Sequence, residues 1–193
     1  MRTTGASRCS VHRNRSCTTD PYERQAPRAV VAQLNRYLDR MSAEIERHGG
    51  VIDKFIGDEI MALFGAPVSQ PDAADRALAA ALAMQDALAA LNREFAAEGL
   101  LPLSIGIGIN TGRVVAGNIG SNRRLNYSVI GDGVNVAARL QGLTRKPEYA
   151  ASIIISRASR DAARKPFAFR DLGIAMVKGR SESVSVFALE PGN

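Results

Sequence analysis

Hydrophobic positions in this chain change period along its length, and each change marks an element. Between residues 27 and 48, Val30, Val31, Leu34, Leu38, Met41 and Ile45 form a helical stripe, which predicts an amphipathic helix. Pro27 suits its first turn, and Gly49-Gly50 ends it. The period then falls to two. Val51, Asp53 and Phe55 alternate with Ile52, Lys54 and Ile56, which predicts a regular strand. Gly57-Asp58 fits a hairpin turn, and residues 59–64 fit the returning strand.

Residues 72–97 are rich in alanine. Leu78, Leu82, Leu88, Leu91 and Phe95 are spaced for a helix packed on a sheet, capped near Asp72 and stopped before Gly99. Residues 103–110 and 113–118 predict a second hairpin. Residues 125–130 predict a strand that ends at Gly131. Asp132 then caps a helix carrying Val134, Ala137, Ala138 and Leu140. A buried strand at 152–156, a short helix at 157–163 and an antiparallel pair at 167–177 and 184–189 complete the pattern. The fold class is α+β: one mostly antiparallel sheet with helices packed on it. Residues 1–26 are polar, rich in arginine and without period, so they read as a disordered or degenerate segment.

Composition narrows the function classes. The chain has 193 residues, enough for one well-cored domain, and 46% are apolar. It holds no run of about 18 apolar residues and its first residues lack the apolar core of a signal peptide. No membrane span is expected, and a cytoplasmic location is the default. Net charge is +6, but beyond the arginine-rich start the basic residues are interspersed with acids. No continuous basic stripe suggests a specific nucleic-acid partner. Cys9 and Cys17 both lie near the start, so no disulfide framework supports the core. With His12 they make a three-ligand zinc set at an unfamiliar spacing; free thiols are the simpler reading.

Two polar pairs stand apart from the core pattern. Lys54 and Asp58 lie four residues apart at the first hairpin, on rigid backbone that a ligand can reach. Asn135 and Arg139 share one helix face at i and i+4, as donors suited to a phosphate or a developing oxyanion. Each pair alone also has an ordinary explanation. Gly-Asp is a common turn, an edge lysine is usually solvated, and an Asn/Arg pair fits an exposed helix face.

Taken in order, KFIGDEIMALFG (54–65), GIGINTGRVVAGNIG (106–120) and YSVIGDGVNVAARL (127–140) resemble the class III nucleotide cyclases, the adenylate and guanylate cyclase catalytic domains. The match runs from about residue 27 to about residue 189, and the domain is placed at residues 27–190. The resemblance implies a ferredoxin-like sheet. It also implies a reaction in which the ribose 3′-oxygen attacks the α-phosphorus of a nucleoside triphosphate and pyrophosphate leaves. In that family two divalent ions, Mg or Mn, are held by two aspartates. Asp58 matches the second of these. Lys54 matches the purine-reading lysine, and Ser128, seven residues before Asn135, the second purine-reading position. A lysine donor suits adenine N1, and a hydroxyl can accept from the adenine amino group, so the pair favours ATP over GTP. Asn135 matches the residue that orients the ribose, Arg139 the one that stabilises the transition state, and Lys178 the lysine that holds the terminal phosphates. The family works as a head-to-tail dimer in which metal aspartates come from one subunit and purine and transition-state residues from the other.

One departure follows from the same resemblance. The first metal aspartate is expected roughly 44 residues before Asp58, where His12, Arg13, Asn14 and Arg15 stand and no acid does. Arg15, Thr18 and Thr19 echo the family's loop and put Arg13 at the acid's place; an arginine there would repel a cation. Asp20 and Glu23 are candidates for substitution. The expected activity is therefore adenylate cyclase, with a half-site partner in a heterodimer as the alternative.

Overall fold

The computed structural model describes residues 6–12, 27–121, 124–175 and 183–192. The elements are β1 (Ala6–His12), α1 (Pro27–Arg47), β2 (Val51–Ile56), β3 (Glu59–Leu63), α2 (Ala73–Ala97), β4 (Ser104–Asn110), β5 (Val115–Ser121), β6 (Arg124–Ile130), α3 (Asp132–Leu143), β7 (Ile153–Ser156), α4 (Arg157–Ala162), β8 (Ala168–Ala175) and β9 (Val184–Glu190). Seven strands form one sheet in the order β2-β3-β1-β4-β7-β9-β8, while β5 and β6 form a separate ribbon. The pairing is antiparallel except between β4 and β7. The β1-α1-β2-β3-α2-β4 unit, with its strands ordered β2-β3-β1-β4, is the expected ferredoxin-like arrangement.

Strand alternation explains the layers. Ile105, Ile107 and Ile109 of β4 join Ile60, Ala62 and Phe64 against α1 and α2, with Tyr37, Met41, Ile45, Leu78, Leu91 and Phe95 filling that layer. The opposite face of β4 carries Gly106 and Gly108. A Cβ at Gly108 would collide with the Ala137 carbonyl oxygen and the Gln141 nitrogen, so α3 lies directly on that strand. Beside it Val136, Leu140 and Leu143 pack on Ile154 and Val186. β7 is thus buried on both faces, and its Ile153-Ile154-Ile155 run reflects that. Further along the α3 face, Met61, Leu63 and Ala66 meet Val114, Ala116 and Val129 of the ribbon region.

Several expectations are corrected. Residues 6–12 form β1 instead of lacking structure; residues 1–5 and 13–26 lie outside the described residues. The strand's polar composition is overridden by context, because β3 pairs with one of its edges and β4 with the other. The second predicted hairpin does not form. Both edges of β4 are taken by β1 and β7, so β5 leaves the sheet and pairs with β6. Asp132 lies in the first turn of α3, whose cap position is Gly131. On α1, Val31 is exposed, and Gln33, Tyr37 and Glu44 are buried beside Met41 and Ile45.

α1 and α2 are also clamped at their surface. Arg36 donates to Glu98 at 2.6 Å and to Glu94 at 3.2 Å, and Arg40 donates to Glu94 at 3.0 Å. The hydrogen bond from Arg40 holds the Glu94 carboxyl below the usual range, and that from Arg36 does the same for Glu98. A lowered carboxyl pKa adds stability above the unfolded-state value and loses it as pH falls through the folded-state value. The destabilisation caused by Arg36→Ala is therefore expected to be largest at neutral pH and to shrink as Glu94 and Glu98 protonate. Thermal melts of both proteins across the acid range check this. A constant difference would assign the role of Arg36 to its stacking on Phe95, 4.8 Å from the ring centre.

Candidate functional site

The β2–β3 hairpin turns at Gly57-Asp58. Gly57 has φ of 62°, a left-handed conformation that glycine adopts without strain, and Asp58 is exposed beside it. β2 is not the regular strand that its alternation predicts. Ile52 pairs with Ala62 and Lys54 with Met61, so Asp53 is an extra residue in a bulge. The bulge changes which side chains share a face. Ile52 packs with the α1 and α2 layer, as its partner Ala62 does. Two residues on, a regular strand would face the same way, yet Lys54 follows Met61 toward the ribbon.

There Lys54 Nζ donates to Ser128 Oγ on β6 at 2.8 Å. Ser128 Oγ in turn donates to Asp53 Oδ2 at 3.0 Å, and Lys54 Nζ lies 3.3 Å from the same oxygen. The Asp53 side chain is 1% exposed and that of Lys54 46%. Ser128 is buried. A lysine and a serine 74 positions apart in sequence are thus joined directly, with an acid that sequence reasoning had not singled out. The signal available in the sequence was an aspartate next to Lys54 inside a strand whose other residues are apolar, where aspartate is disfavoured.

α3 starts immediately after β6, and its Val134 packs against the cluster that contains Met61, the partner of Lys54. The first turn of α3 and the Lys54–Ser128 pair therefore border the same small core. Asn135 is exposed on that helix. Arg139, one turn later, is half-buried, and its Nη1 is fully buried with no hydrogen-bond partner among the described residues. A guanidinium nitrogen left without an acceptor is costly, and an anionic ligand would supply one. Lys178 lies outside the described residues.

Asp58 is the carboxylate to weigh as an ion ligand. In the sheet, Ser10 of β1 pairs with Glu59, the residue after Asp58, so the chain leaves β1 at His12 beside this turn. β1 itself, ASRCSVH, holds no acid. Among the described residues no group of three or more His, Cys, Asp or Glu side chains could hold a metal; Cys17, the third member of the set with Cys9 and His12, lies outside them. Among the described residues this donor set offers a single carboxylate contact to an ion; Asp20 and Glu23 lie outside the described residues. Two clefts, of about 570 and 310 Å³, are lined by none of Lys54, Asp58, Ser128, Asn135 or Arg139. No helix among the described residues is long and apolar enough to cross a membrane.

Comparison with known proteins gives a consistent picture. Residues 16–191 match the family described as the adenylate and guanylate cyclase catalytic domain. The chain is 38% identical over 165 residues to adenylate cyclase 1 of Rhizobium meliloti (strain 1021), covering 86% of this chain and 24% of that protein. It is 38% identical over 179 residues to an adenylate cyclase of Anabaena cylindrica, covering 89% and 34%. The chain therefore spans only about a quarter to a third of these relatives. Among solved structures, the adenylyl cyclase CyaB from P. aeruginosa superposes with a TM-score of 0.87 at 31% identity, covering 100% of this chain and 95% of that one. The guanylyl cyclase Cya2 superposes with a TM-score of 0.82 at 37% identity, covering 98% and 94%. Similarity to both an adenylyl and a guanylyl cyclase means that likeness alone does not select the base. With the signature, the ferredoxin-like core and the ordered motifs all in agreement, the chain belongs to the adenylate and guanylate cyclase catalytic domain family.

Proposed function

We propose that this chain is an adenylate cyclase domain that forms 3′,5′-cyclic AMP and pyrophosphate from ATP at a dimer interface. The observation that carries this reading is the 2.8 Å contact between Lys54 and Ser128 within one chain. Lysine donates only, which suits the N1 acceptor of adenine and opposes the N1–H of guanine. A purine edge enters as Lys54 swings from Ser128 to N1, and the vacated hydroxyl accepts from the exocyclic amine. Asn135 orients the ribose. Arg139 meets the charge that develops as the 3′-oxygen bonds to the α-phosphorus and the bond to the pyrophosphate oxygen breaks. Lys178 is the proposed partner of the terminal phosphates.

Cyclase domains of this family work as dimers, and exposed apolar residues on the elements that carry the site support a composite one here. Phe55 and Ile56 on β2, Val115 on β5 and Ile130 on β6 are large apolar residues left 42–71% exposed. They offer a face for a second cyclase domain. Asp58 would then serve the companion site. The family uses Mg or Mn, and Asp58 is the residue here that would contact such an ion. Arg13, which stands where the resemblance puts the first metal aspartate, favours a second reading, in which this chain gives Lys54, Ser128, Asn135 and Arg139 to a heterodimer and its partner gives both metal aspartates.

Purified chain incubated with ATP and Mn²⁺ or Mg²⁺ distinguishes the two readings. Cyclic AMP formed by the chain alone supports the homodimer. Cyclic AMP formed only after mixing with a cyclase that lacks its own purine-reading lysine supports the heterodimer. No product in either case overturns the proposal. In the active assembly, Lys54→Glu combined with Ser128→Cys is expected to shrink the preference for ATP over GTP by roughly tenfold or more, as read from kcat/KM for each nucleotide. Unchanged selectivity would remove both residues from base reading.

A further inference from the structure

We propose that Asp53 sets base specificity by taking the single hydroxyl hydrogen of Ser128, so that Ser128 can only accept a hydrogen bond from a purine. This rests on the reading that Lys54 and Ser128 face the base.

The hydrogen count fixes the roles. A serine hydroxyl has one hydrogen and two lone pairs, an ammonium group only donates, and a carboxylate only accepts. Ser128 Oγ lies 2.8 Å from Lys54 Nζ and 3.0 Å from Asp53 Oδ2. Its hydrogen therefore goes to Asp53, and its lone pairs remain for Lys54 and one further donor. An amino group at purine C6 is such a donor. A carbonyl at C6 presents lone pair to lone pair, and its oxygen cannot recruit the serine hydrogen without stripping Asp53 of a bond in a buried site.

The backbone is built for this arrangement. In a regular strand adjacent side chains point to opposite faces, so one residue could not share a serine with the next. The bulge between Ile52 and Lys54 turns both Asp53 and Lys54 toward the ribbon. Asp53 is enclosed, with its side chain 1% exposed, whereas Lys54 at 46% keeps the freedom to turn to a ligand. When Lys54 leaves Ser128 for a purine nitrogen, Asp53 stays as its counter-charge, 3.3 Å away in the present geometry. Asp53 does not touch the nucleotide; it acts through the two residues that do.

The test is displacement of a fluorescent N-methylanthraniloyl-ATP from the full chain by ATP and by inosine triphosphate, which carries oxygen at C6 and has no 2-amino group. Wild type, Asp53→Ala, Ser128→Ala and the double variant are compared, with circular dichroism as the control on folding. Alanine is used because an asparagine oxygen would still accept the Ser128 hydrogen. Asp53→Ala and Ser128→Ala are each expected to narrow the ATP-to-ITP preference by about tenfold, and the double variant no further than Ser128→Ala alone. Equal weakening of both nucleotides in Asp53→Ala, with the ratio unmoved, would make Asp53 a structural or purely electrostatic residue and overturn the inference. An unmoved ratio in Ser128→Ala would overturn the base-reading assignment itself. Should Asp53→Ala unfold, the wild type decides: the triphosphate of unsubstituted purine riboside is expected to bind between ATP and ITP. ITP binding as tightly as that nucleotide would sink the proposal.

Discussion

Arg139→Ala is expected to abolish cyclic AMP formation while leaving the fold intact. The two halves of that expectation have one origin. Arg139 is half-buried instead of exposed as a simple helix face would have it, and its Nη1 has no hydrogen-bond partner among the described residues. Removing it breaks no bond to that nitrogen and relieves the cost of an unsatisfied donor, so stability should change by no more than about 1 kcal/mol. The charge that builds on the phosphoryl oxygens during cyclisation would lose its fixed donor, and comparable removals cost roughly 10²–10³ in turnover. Arg139→Lys keeps the charge but not the planar fork, and should recover only part of the rate. The measurements are turnover in the active assembly, alone or mixed, and a thermal melt of the same preparation. A fall in melting temperature of more than about 5 °C would mean that Arg139 supports the framework and that its loss of activity says nothing about chemistry.

Gly108→Val is expected to have the largest effect on stability. A Cβ there would overlap the Ala137 carbonyl oxygen and the Gln141 nitrogen, both backbone atoms that cannot rotate away. α3 would have to lift from β4, taking Leu140 out of its contact with Ile154 and Val186. Overpacking of this kind costs about 1–3 kcal/mol or more, and Gly108→Ala should already show most of it. Urea unfolding midpoints of the two variants check the order. The same displacement moves Asn135 and Arg139, so activity should fall further than the unfolded fraction explains. Wild-type stability in Gly108→Ala would mean that α3 is not seated as tightly on the strand as the backbone contacts require.

Motif density decided how much of this was legible in the sequence. The segments at 54–65, 106–120 and 127–140 each combine turn residues, apolar period and polar chemistry in a fixed order, so family and fold class could both be read from them. β1 could not. Ala6–His12 has few strand-forming residues, and its conformation follows from two partners far away in the chain, Glu59–Leu63 and Ser104–Asn110. The false hairpin came from assuming that consecutive strands pair. The alternation of isoleucine and glycine in SIGIGIN carried the better signal, since a glycine face on a strand invites a helix to lie on it. The bulge at Asp53 was hidden because a binary pattern fits a regular strand equally well. The aspartate itself was the discordant residue, and its misfit marked the place where backbone regularity gives way to a polar network.

The ribbon's independence from the main sheet has a consequence for nucleotide choice. Lys54 belongs to one hydrogen-bonded sheet and Ser128 to the other, so no strand ladder fixes the gap between them. Apart from the side-chain bonds of Asp53 and Lys54 to Ser128, the modest apolar seam of Met61, Leu63, Ala66, Val114, Ala116 and Val129 does so among the described residues. Fidelity toward the base is therefore mortgaged to a greasy hinge line: loosening one methyl group there blurs substrate discrimination before any polar residue is altered.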